Sequence, residues 1–435
     1  MRTIKVIGLL AFCFSLFAEV HGQQVYQWRG PNREGIYPEK DLLKSWPASG
    51  PQLLWSVDML GTGYSSPVIA GDKLYINGEI NKVSHLFVFD LSGKLLWKYA
   101  NGPEFYGEGY SANFPGARSA PTIYDGLVYI SSGMGRMACL DANSGAEKWA
   151  VNMSDLGGQI NMFGYSESLL VDETKVYCYP GGKDANIMAL DRMTGKPVWT
   201  SKALGDPVSF CSPMMIKLPE RTEIRKIRNI ETGALEDKLA KHPELNILVT
   251  LSHGFLQGVD AKTGELLWSH KEDSVKLEGE HCNTPIYADG FIYSISGDDK
   301  GNGAYKLQLM PDGKSIKEVW RNNKVLNALG GFVKIENRIY TSSKDNKLKV
   351  LDTETGQITE SLSGMKGNLI AADNLLFCYA DNGYINLIKG IGSKLEVAGK
   401  FKITKGEKEH FSHPVIANGT MYVRHGNTLM AYQVK

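Results

Sequence analysis

The chain has 435 residues, 43% of them hydrophobic and 22% charged, the balance of a folded, water-soluble protein. Forty-eight basic residues stand against 47 acidic ones. That leaves no basic excess to attract nucleic acid or an anionic membrane, and the balance argues against both partners.

Residues 1–22 read as an export signal. Arg2 and Lys5 supply a positive start, Val6 to Phe17 an apolar run too short to span a bilayer, and Val20-His21-Gly22 a cleavage site. Cleavage is expected after Gly22, giving an exported protein, periplasmic or extracellular. Phe12 before Cys13 is not the small residue that a lipid-anchored leader needs. No later apolar run is long enough for a transmembrane helix. Of the six cysteines, Cys13 leaves with the leader and none of the rest has a C-x-x-C neighbour. Cys139, Cys178 and Cys378 read as small buried hydrophobes in strands. Residues 23–50 form an N-terminal segment expected to pack on the domain that follows, 51–435.

Within that domain a unit recurs about every 50 residues, the mark of a repeat architecture. Each unit opens on a small residue and Pro, with an aromatic residue eight positions on: Pro67 to Tyr75, Pro121 to Tyr129, Pro285 to Tyr293, Pro414 to Tyr422. Three more keep the spacing without Pro, from Leu169, Phe332 and Leu369, and an eighth begins at Pro213. Later in the unit comes an Asp, a turn with Ser or Thr and Gly, and a Trp four residues after the Gly. It runs Asp90-Gly93-Trp97, Asp141-Gly145-Trp149, Asp191-Gly195-Trp199 and Asp260-Gly264-Trp268, with a fifth copy, Asp352-Gly356, that lacks the Trp. Short apolar runs between such turns are strands, and Asp and Gly supply the turn chemistry. The expected fold is all-β: an eight-bladed β-propeller of four-stranded blades. The last unit supplies three strands, so the ring is expected to close with an N-terminal strand around Trp55. An insertion, 218–245, falls between the first two strands of blade four. Its charge pattern reads as partly helical, a surface decoration or a docking element.

The D-x-x-[ST]-G-x-x-x-W unit resembles the repeat of the PQQ-like (pyrroloquinoline-quinone-like) β-propeller family, over essentially all of 51–435. The opening Trp28 to Trp55 is also similar to that of secreted bacterial members. The family includes quinone-dependent alcohol and sugar dehydrogenases and the non-enzymatic propeller of the outer-membrane β-barrel assembly machine. The resemblance therefore implies PQQ with calcium as a possible cofactor. The chain lacks the vicinal Cys pair of the alcohol dehydrogenases, and it lacks the C-x-x-C-H of haem-linked ones. No metal site is expected from its His spacing.

Propeller topology brings the three residues before each Pro position together at one mouth. Candidate ligand-binding residues are Tyr64, Arg118, Glu167, Asn283 and His413 from these triplets, with Tyr165 and His281 just before theirs. Arg118 could hold a carboxylate or sulfate, or pair with Glu167 across the channel. The link 101–116 adds Phe105, Tyr106 and Tyr110, aromatics suited to stacking on a ring. The expected function is an exported envelope binding or scaffold protein, acting as a monomer on a glycan or protein partner. The alternatives are a PQQ-dependent dehydrogenase and a carbohydrate lyase or hydrolase using His281, Tyr165 and Arg118. Catalytic residues are not identifiable from the sequence.

Overall fold

The computed structural model describes residues 24–272, 281–297 and 301–435; the expected export signal, 1–22, lies outside the described residues. Their strands form seven four-stranded sheets, one five-stranded sheet and one two-stranded hairpin. The first sheet shows the pattern: 68–70, 73–80, 83–90 and 95–103 lie side by side in chain order, all antiparallel. In the last sheet the strands 415–417, 420–425 and 428–433 are completed by Leu53–Asp58, with Trp55 opposite Ala431.

Apolar side chains fill the gaps between sheets. Leu86 and Val88 pack with Val128 and Leu140 of the second sheet, and Met214 and Val249 of the fourth pack with Ile292 and Leu307 of the fifth. Phe87 and Phe89 of the first sheet share a cluster with Tyr422 and Leu429 of the last.

The Asp-Gly-Trp unit explains part of this packing. Asp191 Oδ1 accepts the backbone N–H of Met193 and Thr194 at 3.1 and 2.9 Å and the Thr194 hydroxyl at 2.8 Å. Gly195 then takes φ 69°, the left-handed value that closes the hairpin. Its missing side chain makes room for Trp149 of the preceding sheet, whose indole lies 2.7 Å from where a Cβ would sit. The Trp149 Nε1–H donates to the Arg192 carbonyl of the same turn at 2.9 Å. The seam repeats: Trp55 on Gly93, Trp97 on Gly145, Trp199 on Gly264, Trp320 on Gly356. The fifth copy, without a Trp of its own, still receives one from the sheet before it.

The insertion corrects one expectation. Residues 221–228 and 235–242 form an antiparallel hairpin, not a helix. It lies between the strands 214–218 and 245–251 of the fourth sheet. Its tip is the repeat's own turn with Asn in place of Asp. Asn229 Oδ1 accepts the N–H groups of Glu231 and Thr232 at 2.9 and 3.2 Å, and Gly233 takes φ 70°.

The N-terminal segment does more than pack on the surface. Tyr26 exchanges backbone hydrogen bonds with Ile123, the first strand of the second sheet, at 2.9 and 2.8 Å. Ile36–Tyr37 then pairs parallel with the first strand of the seventh, opposite Ala371 and Ala372. Between them Arg29 donates to the carbonyls of Phe332 and Leu369 at 2.6 and 3.1 Å. Arg33 donates to Ser168, Leu169 and Pro213 at 2.8, 2.6 and 3.0 Å. One short segment thus caps carbonyls at the start of five different sheets. Both guanidiniums are buried, and burial lowers their pKa to about 10 and about 9.

Candidate functional site

A cavity of about 620 Å3 opens where the sheets begin. Its lining follows a simple rule. The triplets before each first strand begin with Tyr64, Arg118, Ser166, Phe210, Cys282, Leu329, Lys366 and Phe411, and all eight line the cavity. Third residues Ser66, Ser168, Ser212 and His413 line it too, whereas none of the middle residues does. An extended chain points alternate side chains to opposite sides, so the middle residue of each triplet turns away into the protein.

That alternation sorts the expected residues. Tyr64 and Arg118 are wall residues. The Tyr64 hydroxyl donates to Glu409 at 2.6 Å, and its ring faces Phe411 at 5.4 Å. His413 lies at the base, edge-on to Trp28 at 5.1 Å. Burial, with Arg29 beside it, holds its imidazole neutral, well below the usual range.

Glu167 and Asn283 are middle residues and do not reach the cavity. Asn283 Nδ2 donates to the carbonyls of Ile295 and Asn327 at 3.0 and 2.6 Å, a structural role. Glu167 Oε1 accepts the Tyr179 N–H at 2.7 Å. Its charge neighbour is Arg33, not Arg118, so the expected Arg118–Glu167 pair does not form. His281, one position before a triplet, is buried with Nε2 3.1 Å from the His253 carbonyl. Tyr165 is buried and donates to the Pro180 carbonyl at 3.0 Å. The three residues offered for lyase or hydrolase chemistry therefore do not meet: of His281, Tyr165 and Arg118, only Arg118 lines the cavity.

Of the aromatic loop, Tyr110 reaches the cavity. Phe105 packs beside Gly133 and Gly164 instead, and Tyr106 lies under the Lys82 ammonium at 4.8 Å. Sequence reasoning missed Trp28 and Phe163, which come from non-repeating segments, and Lys344, on the turn between the strands 338–343 and 347–352. It also passed over Phe210, Lys366 and Phe411, which the alternation rule would have found.

Burial raises the Glu167 pKa to about 7, against a smaller lowering by the Tyr179 N–H and Arg33. Its unfolded value is the ordinary 4.5. A raised carboxyl contributes stability in full below 4.5 and loses it as pH climbs to about 7. Glu167→Gln is therefore expected to match the parent near pH 4 and to exceed it above pH 7. Urea unfolding across that range checks this; parallel curves for the two proteins would contradict it.

The quinone–calcium pair can be tested against the lining. Calcium needs hard, charged oxygen ligands, and among the described residues no carboxylate lines the cavity. No group of three or more His, Cys, Asp or Glu among them could hold a metal ion. Cys282 lines the wall, whereas Cys139, Cys178, Cys211 and Cys378 are buried elsewhere as free thiols. The residues present do not fit the pair.

A family model described as outer membrane protein assembly factor BamB matches residues 88–217. The chain is 21% identical to the outer membrane protein assembly factor BamB of Yersinia pestis over 355 residues, 78% of this chain and 77% of that one. The crystal structure of BamB from Moraxella catarrhalis superposes at TM-score 0.59 with 13% identity, covering 88% of this chain and 99% of that one. A europium-containing methanol dehydrogenase superposes at TM-score 0.50 with 14% identity, covering 92% and 90%. At such identities the structural likenesses speak for the fold, a β-propeller.

Proposed function

We propose, from the premise that the chain belongs to the PQQ-like β-propeller repeat family, that it is an exported envelope scaffold holding a protein partner. In this reading the four-stranded sheets are eight blades of one closed ring, and residues 1–22 direct the chain to the periplasm, where it acts as a monomer. The observation that carries the function is the likeness to outer membrane assembly factors over more than three quarters of both chains.

The hairpin of the fourth sheet supplies a surface for the partner. Ile224 and Leu239 are cross-strand neighbours and Leu235 shares their face. They are 68%, 66% and 64% exposed, and Ile230 at the tip 99%. Apolar side chains concentrated on a projecting element mark a contact surface. Both outer edges of the hairpin leave backbone groups to which a partner strand could add. The glycan also expected from the sequence would enter at the mouth instead.

A photo-crosslinking residue at Leu239, in cells of the native host, is expected to give one discrete protein adduct. The same residue at Lys394, on the exposed turn between the strands 384–389 and 396–402, is expected to give none. Replacing 221–242 by a short turn should shift stability by no more than about 0.5 kcal/mol, as for a surface change, and should remove the function that the adduct reports. The absence of any adduct at Leu239, Leu235 or Ile230 would sink the reading.

A further inference from the structure

The mouth has a chemical character that a protein scaffold does not require. Its polar lining is rich in donors and poor in acceptors. Ser66, Ser168 and Ser212 each accept a backbone N–H from a neighbouring sheet at 2.9 Å, from His413, Ala120 and Ser168 respectively. Among the described residues their own O–H groups have no acceptor in the chain, so they are left to the cavity. The Ser166 hydroxyl, buried beside them, has no hydrogen-bond partner among the described residues.

Arg118 extends the pattern. It is held by the carbonyls of Gly116, at 3.1 Å, and Phe114, which use two of its five donors. Among the described residues no carboxylate pairs with it. Burial lowers its pKa; the buried Glu104 carboxyl acts on its charge without forming an ion pair, so an anion in the cavity would give the guanidinium a direct partner. Lys366 adds a second cation, bonded to Asp381 at 3.3 Å outside the lining.

Much of the remaining wall is aromatic. Phe114 faces Phe163 and Phe411 at 6.2 and 6.4 Å, and Phe163 faces Phe210 at 5.6 Å. Ring faces of this kind stack on the flat surface of a sugar or an aromatic ring. The volume suits a ligand of one or two rings.

We propose that this mouth is a metal-independent binding site for a small ring-bearing anion, a carboxylated or sulfated ring held by Arg118 and the serine hydroxyls against the phenylalanine wall. Sugar acids and aromatic acids share that chemistry, and the experiment separates them. The full mature chain is titrated by calorimetry, in EDTA, with a glucuronate disaccharide, its neutral methyl ester, 2-naphthoate and 2-naphthalenemethanol. Saturable binding of one acid is expected, with its neutral counterpart at least tenfold weaker; which acid binds identifies the ring. Arg118→Gln is expected to weaken the acid at least tenfold with an unchanged melting temperature. Ser166→Leu, which fills the cavity from the triplet of the neighbouring sheet, provides a second variant should Arg118→Gln unfold the loop, and is expected to abolish binding. Equal affinity for acid and neutral forms, no saturable binding of either acid, or binding that survives both variants would overturn the proposal. None of these outcomes bears on the hairpin's partner, so the scaffold reading stands or falls separately.

Discussion

An Arg33→Met chain is expected to lose about 3–5 kcal/mol of stability, the range for removing one partner from a buried charged interaction. Methionine nearly fills the space, so the loss comes from hydrogen bonding. Arg33 serves three carbonyls on two sheets, Ser168 and Leu169 on one and Pro213 on the next. Its Nε–H also donates to Gln27 at 2.7 Å. Without it those buried acceptors lose partners that water cannot replace, at about 1–3 kcal/mol each. The gain from no longer burying a cation offsets part of the sum. Arg33→Lys should recover little, because one ammonium on a flexible stem cannot reproduce the planar fork that spans both sheets. Urea unfolding measures both variants. A loss under about 1 kcal/mol for Arg33→Met would mean that the N-terminal segment is not part of the fold's core.

Trp149→Ala is expected to cost about 3–5 kcal/mol, as for other large aromatics removed from cores. Trp149 is only 8% exposed and joins the second sheet to the turn of the third through packing and one hydrogen bond. The pairing with Gly195 makes the prediction sharper. Gly195→Ala adds a side chain at a left-handed φ, about 1–2 kcal/mol by itself, and also drives a methyl into the indole. In the Trp149→Ala background the second penalty disappears. The double-mutant cycle should therefore show a favourable coupling above 0.5 kcal/mol, the sign of residues in contact. Additive effects would mean that the Gly is needed for its turn alone.

Most of the repeat's architecture could be read from the residues, because each unit states its own strands and turns. Pro67 to Tyr75 and Asp90 to Trp97 lie on the strands assigned to them, and Trp55 lies on the strand that completes the last sheet. The insertion misled because Ile224, Ile227 and Ile230 fall at helical spacing. The signal that decides it is Asn229-x-x-Thr232-Gly233, the repeat's own turn with one substitution. The mouth was only half legible. Treating each triplet as a unit admitted Glu167 and Asn283, whereas period-two alternation sends them inward and brings Phe210, Lys366 and Phe411 to the wall. Trp28 and Phe163 were not legible, since their segments carry no repeat and their path is set by tertiary contacts; Lys344 sits on a turn of the repeating unit and was passed over. The N-terminal segment hides its role in two arginines whose partners are backbone carbonyls, and a carbonyl leaves no mark in a sequence.

On the proposed scaffold reading the chain binds a partner and leaves alcohols and sugars unoxidised. That reading is tested most directly by incubating the mature chain with PQQ and excess calcium and following dye reduction on adding a panel of primary alcohols and aldoses. A scaffold whose mouth offers no carboxylate to calcium predicts no reduction above the protein-free blank, with or without the metal. Saturable, calcium-dependent dye reduction that is lost with EDTA would contradict it and make the chain a quinoprotein dehydrogenase.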